Sequence, residues 1–340
     1  MLGGGAIASQ TGDFSVKAAW YEKNGAARDV LVVGEMQTPE PGAGEVRVKL
    51  ATSGVNPSDV KSRRGRPMVG PRIVPHSDGA GVVDKVGSGV PESRLGERVW
   101  IWNGQWKRAN GTAAEHIVLP SAQAVALPDG TDFDAGACLG IPALTALHAV
   151  GLHGDIAGKT LLVTGAAAAV GHYAVQIAKL RGARVIGTAS KDRQAHARDA
   201  GVDEVIDYRN EDVAERVKAL TGGRGADGVI DMDLSTTATL LPKGLLAPHG
   251  KLVCYGSNVA GDIPISFPAM LWGSLTLQVF VVYELLANER EVAVAELTRL
   301  LKAGALKHSI GARYGLGEIV AAHEAVEGGR VNGNVVLTIA

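Results

Sequence analysis

Cysteine, net charge and long apolar runs are all scarce in this chain, and each shortage removes a class of protein. Cys138 and Cys254 are the only two cysteines among 340 residues. Two thiols cannot build a disulfide framework or the clustered ligands of a structural zinc lobe. They read as small buried hydrophobes, and their scarcity fits a cytoplasmic location. Lys and Arg number 34 against 35 Asp and Glu, a net charge of −1, so no general attraction draws the chain to nucleic acid or anionic lipid. No apolar run reaches the length of a membrane span. Residues 1–15 lack the basic start and continuous apolar stretch of a signal peptide and read as a flexible extension.

What remains is a globular pattern. The hydrophobic share of 46% excludes a disordered chain, and at roughly 150 residues per domain the length suggests two domains. The first third is rich in strand signals. Residues 46–50 alternate apolar and polar, as a half-buried strand does, and 79–83, 98–102 and 116–119 read as further strands. Gly and Pro punctuate them densely at 39–44 and 67–75. This predicts a compact barrel with long loops.

After Pro142 the pattern changes. Strand signals at 160–164, 184–188, 204–207, 228–231 and 251–255 alternate with helical ones at 170–180, 191–200, 212–220 and 238–246. That alternation predicts a doubly wound parallel sheet. The apolar run 275–282 reads as its last strand and as an edge, so pairing across a two-fold axis, a homodimer, is expected. Helical patterns near 292–303 and 316–327 precede a final strand at 334–339, expected to return to the first domain.

The turn after the first parallel strand is Gly165-Ala166-Ala167-Ala168-Ala169-Val170-Gly171. Small residues there let a diphosphate approach the unpaired amides of the following helix. Ala166 and Ala168 take the first two glycine positions of the usual fingerprint, so the placement between strand and helix carries the reading. Ala168, Ala169, Val170 and Gly171 are the phosphate candidates; a tight structural turn is the bland alternative. The second strand ends Gly187-Thr188-Ala189-Ser190-Lys191, with Arg193 beyond and no acid before Asp192. A carboxylate at that place would accept from the ribose of NAD; a hydroxyl among cations suits the 2′-phosphate of NADPH instead. The bland reading is a solvated helical turn with incidental charges.

Several further runs carry a resemblance: Gly54-Val55-Asn56-Pro57-Ser58-Asp59, Ser77-Asp78-Gly79-Ala80-Gly81, Gly96-Glu97-Arg98-Val99, Gly111-Thr112-Ala113-Ala114-Glu115, Leu139-Gly140-Ile141-Pro142-Ala143-Leu144-Thr145, Asp207-Tyr208-Arg209 and Tyr255-Gly256-Ser257. Together the chain from Lys17 onward resembles the zeta-crystallin-type quinone oxidoreductases, a zinc-independent branch of the medium-chain dehydrogenase/reductase superfamily. The resemblance implies an α/β protein. A GroES-like β-barrel catalytic domain would span 16–142 and 283–340, and a Rossmann NADPH-binding domain 143–282. The three zinc-ligand positions of the metal branch correspond to Asn56, Ser77 and Ile141, which do not form a ligand set; His76 lies one position away from the expected histidine. With no metal implied, the acceptors that suit the site are already electron-poor, a quinone or an enone.

By the same resemblance, Asn56 lies near the nicotinamide and the substrate carbonyl, and Thr145 against the nicotinamide ring. Tyr208, Lys191 and Ser190 take the 2′-phosphate. Gly256, Ser257, Phe280 and Val281 border the nicotinamide half, and Asn334 stands where the family often has Lys. One departure is Lys61, where the family often has Tyr. It either stabilises developing enolate or quinol charge or is a surface cation. Trp100, Trp102 and Trp106 form a stripe that reads as packing or as a platform for a flat substrate. The expectation is an NADPH-dependent quinone reductase, with enone or enoyl reduction as the alternative. A non-catalytic nucleotide- or RNA-binding role stands last, because the charge balance disfavours RNA.

Overall fold

The structure, a computed structural model, describes residues 15–339. The expected N-terminal extension therefore lies outside the described residues, except Ser15, which opens strand β1 (Ser15–Trp20). This strand pairs antiparallel with β2 (Val32–Gln37). The barrel sheet is built on β3 (Glu45–Val55), β4 (Asp78–Val86), β5 (Arg98–Ile101), β6 (His116–Pro120) and β7 (Ala124–Ala126). The alternation at 46–50 points Val46, Val48 and Leu50 into one buried cluster with Val83, Val99, Ile101, Ile117 and Leu119.

The second sheet holds β8 (Thr160–Val163), β9 (Arg184–Thr188), β10 (Glu204–Ile206), β11 (Ala226–Asp231), β12 (Leu246–Cys254) and β13 (Thr276–Val279). Its order is β10-β9-β8-β11-β12-β13 and every pairing is parallel. The order reverses between β8 and β11, and there a crevice opens beyond the strand ends. Helix Ala169–Leu180 approaches the sheet closely. A Cβ on Gly171 would stand 2.1 Å from the Gly165 carbonyl oxygen, and one on Gly187 2.7 Å from the Ala166 Cβ.

Two expectations are corrected here. Residues 238–246 are not one helix. A short helix Leu234–Thr237 runs into a tighter turn Ala238–Lys243, where Pro242 has no N–H to give, and β12 begins at Leu246. The last strand is also shorter than 275–282. After Val279 the chain turns away, with the Phe280 amide on the Cys254 carbonyl, and Val282–Glu284 forms a single tight turn.

The tail couples the two sheets. Helix Ala287–Lys302, drawn with the barrel from sequence, packs on helix Leu144–Gly151, and its Leu297 and Leu300 share a cluster with Leu144 and Leu147. Strands β14 (Ile310–Gly315) and β15 (Asn334–Thr338) then join the barrel sheet, β15 antiparallel to β3 with Val335 opposite Val55. The final strand thus returns to the first domain, as its pattern suggested. Helix Ile319–Glu327 packs on helix Pro57–Gly65. No helix of the described residues is long and apolar enough to cross a membrane.

The close approach at Gly171 sets a stability prediction. Gly171→Ala forces the helix off the Gly165 turn and lowers unfolding free energy by about 2 kcal/mol or more, read by urea denaturation. An unchanged midpoint contradicts this packing.

Candidate active site at the crevice

The phosphate turn is held from the neighbouring strand. Gly165 sits at φ 64°, and a Cβ there would strike the Met232 sulfur at 2.1 Å. The Gly165 N–H donates to Thr188 Oγ1 at 2.9 Å and the Ala166 N–H to the Thr188 carbonyl at 3.0 Å. Ala168 occupies the N-cap of helix Ala169–Leu180 and has no side chain to cap it. The first-turn amides of Ala169, Val170 and Gly171 therefore have no intrahelical or capping acceptor, the condition for binding an anion. Gly333 bridges to Ala168 from the returning chain. Asn334 is buried and committed, its main-chain and side-chain N–H groups both donating to the Ser309 carbonyl, at 2.8 and 2.9 Å.

The far end of the crevice is cationic. Ser190 is buried and Lys191 is exposed, with no ion pair or hydrogen bond among the described residues. On the adjoining strand end, Asp207 accepts from the Arg209 amide at 3.2 Å and from Asn210 Nδ2 at 2.8 Å. That turn puts Tyr208 at the surface, with the Arg209 guanidinium 5.8 Å from its ring centroid. The Ser190 hydroxyl, with help from the charges of Arg193 and Arg209, holds the Asp192 carboxyl below the usual range. Arg209 thus joins the predicted Ser190, Lys191 and Tyr208. Sequence reasoning quoted it in a motif without giving it a role.

At the barrel end, Asn56 precedes helix Pro57–Gly65, and its N–H donates to Asp59 Oδ2 at 2.8 Å. Its side-chain amide donates to Asp78 Oδ2 at 2.9 Å, and the Ile141 N–H reaches the same oxygen at 3.1 Å. Asp78 is wholly buried, with Oδ1 unpartnered. Burial, then the nearby Asp59, push its carboxyl well above the ordinary range; burial pushes Asp59 up to about 7. Asn56 and Ile141 therefore meet on a carboxylate, and Ser77 adjoins it in sequence. Amide, hydroxyl and aliphatic groups do not form a zinc ligand set. Among the described residues no three His, Cys, Asp or Glu side chains are grouped to hold a metal. His76 is bound inside the barrel, Nδ1 2.9 Å from Ser53 Oγ and Nε2 2.9 Å from His323 Nε2. A wide turn over Leu139–Ala143 leads into helix Leu144–Gly151, with Thr145 buried in its first turn.

Between the two ends the domains touch. Lys61 Nζ donates to the Ser257 carbonyl at 3.1 Å, bridging barrel helix and nucleotide loop. A Cβ on the neighbouring Gly256 would stand 2.7 Å from the Met232 carbonyl oxygen. Phe280 lies edge-on to His148 at 4.8 Å, and Val281 is exposed. The tryptophan stripe is not one surface: Trp100 is fully buried, Trp102 lies 4.2 Å beneath the Arg290 guanidinium, and Trp106 stacks on Tyr283 at 4.4 Å. Tyr283 escaped the sequence reading. Its hydroxyl donates to Ser58 Oγ at 2.9 Å and its carbonyl accepts from Asn103 Nδ2 at 2.9 Å. The available signal was its place just beyond the last parallel strand, where the crevice of such a sheet lies.

Known proteins align along most of this architecture. A family model described as alcohol dehydrogenase GroES-like domain matches residues 42–129, and one described as zinc-binding dehydrogenase matches 169–299. The chain is 34% identical over 338 residues to a 2-haloacrylate reductase of a Burkholderia species, covering 95% of this chain and 98% of that protein. It is 34% identical over 317 residues to a quinone oxidoreductase of Pseudomonas aeruginosa, covering 91% and 95%. A mycobacterial protein solved in complex with NADPH superposes with a TM-score of 0.82 at 29% identity, covering 96% of this chain and all of the other.

The raised Asp59 carboxyl yields a signed pH effect. Unfolded, it titrates near 3.9; folded, near 7. Its contribution to stability is thus present below about pH 4 and lost as pH rises to about 7. Asp59→Asn should gain stability relative to wild type across that window, by up to about 4 kcal/mol, and hold constant above it. Urea denaturation at several pH values reads the difference, and a pH-independent one contradicts the assignment.

Proposed function

Because the chain belongs to the medium-chain dehydrogenase/reductase superfamily and is an oxidoreductase of that kind, we propose that it reduces a quinone with hydride from NADPH and without a metal. One observation carries the cofactor choice. The end of β9 offers an exposed, unpaired Lys191, and the one carboxylate beside it, Asp192, is already taken by the Ser190 hydroxyl and lies within the field of Arg193 and Arg209. The uncapped helix start at Ala168–Gly171 suits the pyrophosphate. When bound, the reduced nicotinamide supplies the hydride. Gly256, Ser257, Phe280 and Val281 border its half of the crevice and Thr145 backs the ring. Asn56, oriented by Asp78, faces the reacting carbonyl, and Lys61 lies on the rim, where its ammonium holds Ser257.

The absence of a ligand set at Asn56, Ser77 and Ile141 leaves the site to acceptors that need no Lewis acid. Binding and orientation suffice for a quinone. The name of the Pseudomonas relative supports that class. The Burkholderia relative is named for an alkene conjugated to a carboxylate, and this favours enone or enoyl reduction as the second reading.

The edge of β13 and the adjoining helix Phe267–Gly273 expose Val279, Leu271, Phe267 (70% exposed) and Trp272 (84% exposed). So much apolar surface beside an unpaired strand edge supports a homodimer closed through that edge.

The deciding experiment compares NADPH and NADH against a panel of quinones and enones, identifying products as quinol or saturated carbonyl. Turnover should need NADPH and survive a chelator. Lys191→Ala should weaken NADPH about tenfold or more and leave NADH nearly unchanged, since only the 2′-phosphate loses a partner. Equal losses sink the cofactor reading. Light scattering tests the dimer: a monomer at micromolar concentration overturns it, and Trp272→Glu should produce one.

A further inference from the structure

Tyr283 lies in the tight turn Val282–Glu284, just past the last parallel strand, and its hydroxyl reaches the barrel helix Pro57–Gly65. It donates to Ser58 Oγ at 2.9 Å, and the Ser77 hydroxyl is its neighbour. Ser58 is two residues past Asn56, and Ser77 is one of the three positions corresponding to metal ligands in the zinc branch. A phenol therefore stands where that branch gathers its electrophile. Helix Pro57–Gly65 itself has no phenol, because Lys61 takes the place of the tyrosine frequent in the family and spends its ammonium on the Ser257 carbonyl. The ring of Tyr283 is held rigidly: Trp106 stacks on it at 4.4 Å, and Asn103 anchors its carbonyl at 2.9 Å. Trp106 also walls a cavity of about 240 Å³, with Tyr21, Ser62, Met68, Ile73 and Lys107.

We infer that Tyr283 is the oxyanion donor of this active site, its hydroxyl hydrogen-bonding the acceptor oxygen on which negative charge develops. The inference rests on the reading that the crevice reduces an electron-poor carbonyl compound. With NADPH bound, its hydride would add to the conjugated acceptor and a π pair would move onto the acceptor's carbonyl oxygen, leaving NADP⁺. Tyr283 O–H, released from Ser58, donates to that oxygen and keeps its own proton. The anionic product takes its proton from water. Burial, reinforced by the charge of Asp59, pushes the phenol well above its ordinary pKa, so it serves as a donor and not as an acid.

The test uses Tyr283→Phe, which keeps the ring and its stacking, and Ser58→Ala, which removes only the resting partner. With 1,4-naphthoquinone and NADPH, Tyr283→Phe should lower kcat about a hundredfold while the NADPH dissociation constant stays unchanged. Ser58→Ala should change kcat by less than about threefold, because the donor survives. A second readout needs no turnover: 4-nitrophenolate added to the NADP⁺ complex should bind with a blue-shifted absorption band, and Tyr283→Phe should abolish the shift and weaken binding about tenfold. Wild-type turnover matched by Tyr283→Phe overturns the inference and leaves the proposed function standing. A Tyr283-dependent band shift in a protein that reduces no quinone or enone upholds the oxyanion site and overturns that function. Nitrophenolate bound equally by both proteins overturns the inference whatever the turnover.

Discussion

The carboxylate of Asp78 organises the barrel end of the crevice. It is wholly buried and has no cation beside it among the described residues, yet one of its oxygens gathers two segments distant in sequence, through Asn56 Nδ2 and the Ile141 amide. Those segments are the start of the helix that carries Ser58 and Lys61, and the wide turn that delivers Thr145. The space around it is tight: a Cβ on Gly140 would stand 2.4 Å from Asp78 Oδ1. Burying a carboxyl costs free energy unless donors meet it or it keeps its proton. Its raised pKa is the expression of that cost, and the joining of these two segments at the barrel end of the crevice is what results.

The main chain of Asp78 is tied down as firmly as its side chain, through a hydrogen-bond relay with one possible direction. Arg63 Nε–H donates to His323 Nδ1 at 3.3 Å, so the proton of His323 is on Nε2 and donates to His76 Nε2 at 2.9 Å. His76 then donates from Nδ1 to Ser53 at 2.9 Å, Ser53 to Thr112 at 2.7 Å, and Thr112 to the Asp78 carbonyl at 2.5 Å. Burial holds both histidines neutral, His323 at about 3, which this relay requires. Arg63, bonded outward to the Gly25 carbonyl and to Glu327, sets the direction of the whole chain. His76 accepts a left-handed backbone, φ 77°, to take its place in it. His76, one position from the histidine of the zinc branch, is thus a structural relay.

Much of the fold could be read from periodicity because its rules are local. Alternation at 46–50 and the strand–helix rhythm after 160 needed only a period of two or of 3.6. Mistakes arose where local and tertiary demands diverge. Pro242 broke an expected helix, and β13 ended at Val279 because the chain must turn down toward the barrel. Strand β14 and helix Pro57–Gly65 went unread. The helix has little apolar periodicity of its own and is stabilised by Asp59 on the Asn56 amide and by packing on helix Ile319–Glu327.

The sequence by itself determined the superfamily, and it located the small-residue turn after β8 and the basic run at the end of β9, because each is written in a contiguous run whose chemistry does not depend on distant residues. Tertiary structure decided the roles of single side chains. Asn334, Lys61 and His76 proved to be committed to Ser309, Ser257 and His323, partners 25, 196 and 247 residues away. Tyr283 entered the site only because the chain after β13 crosses to the barrel, where Ser58 lies 225 residues earlier. Hydrogen bonds form between neighbours in space, and the winding of two sheets makes residues neighbours that no window of sequence contains together. The zinc positions show both levels. Their identities, Asn56, Ser77 and Ile141, were legible in the sequence; that two of them meet on a buried carboxyl group, with the Tyr283 phenol beside the third, was not.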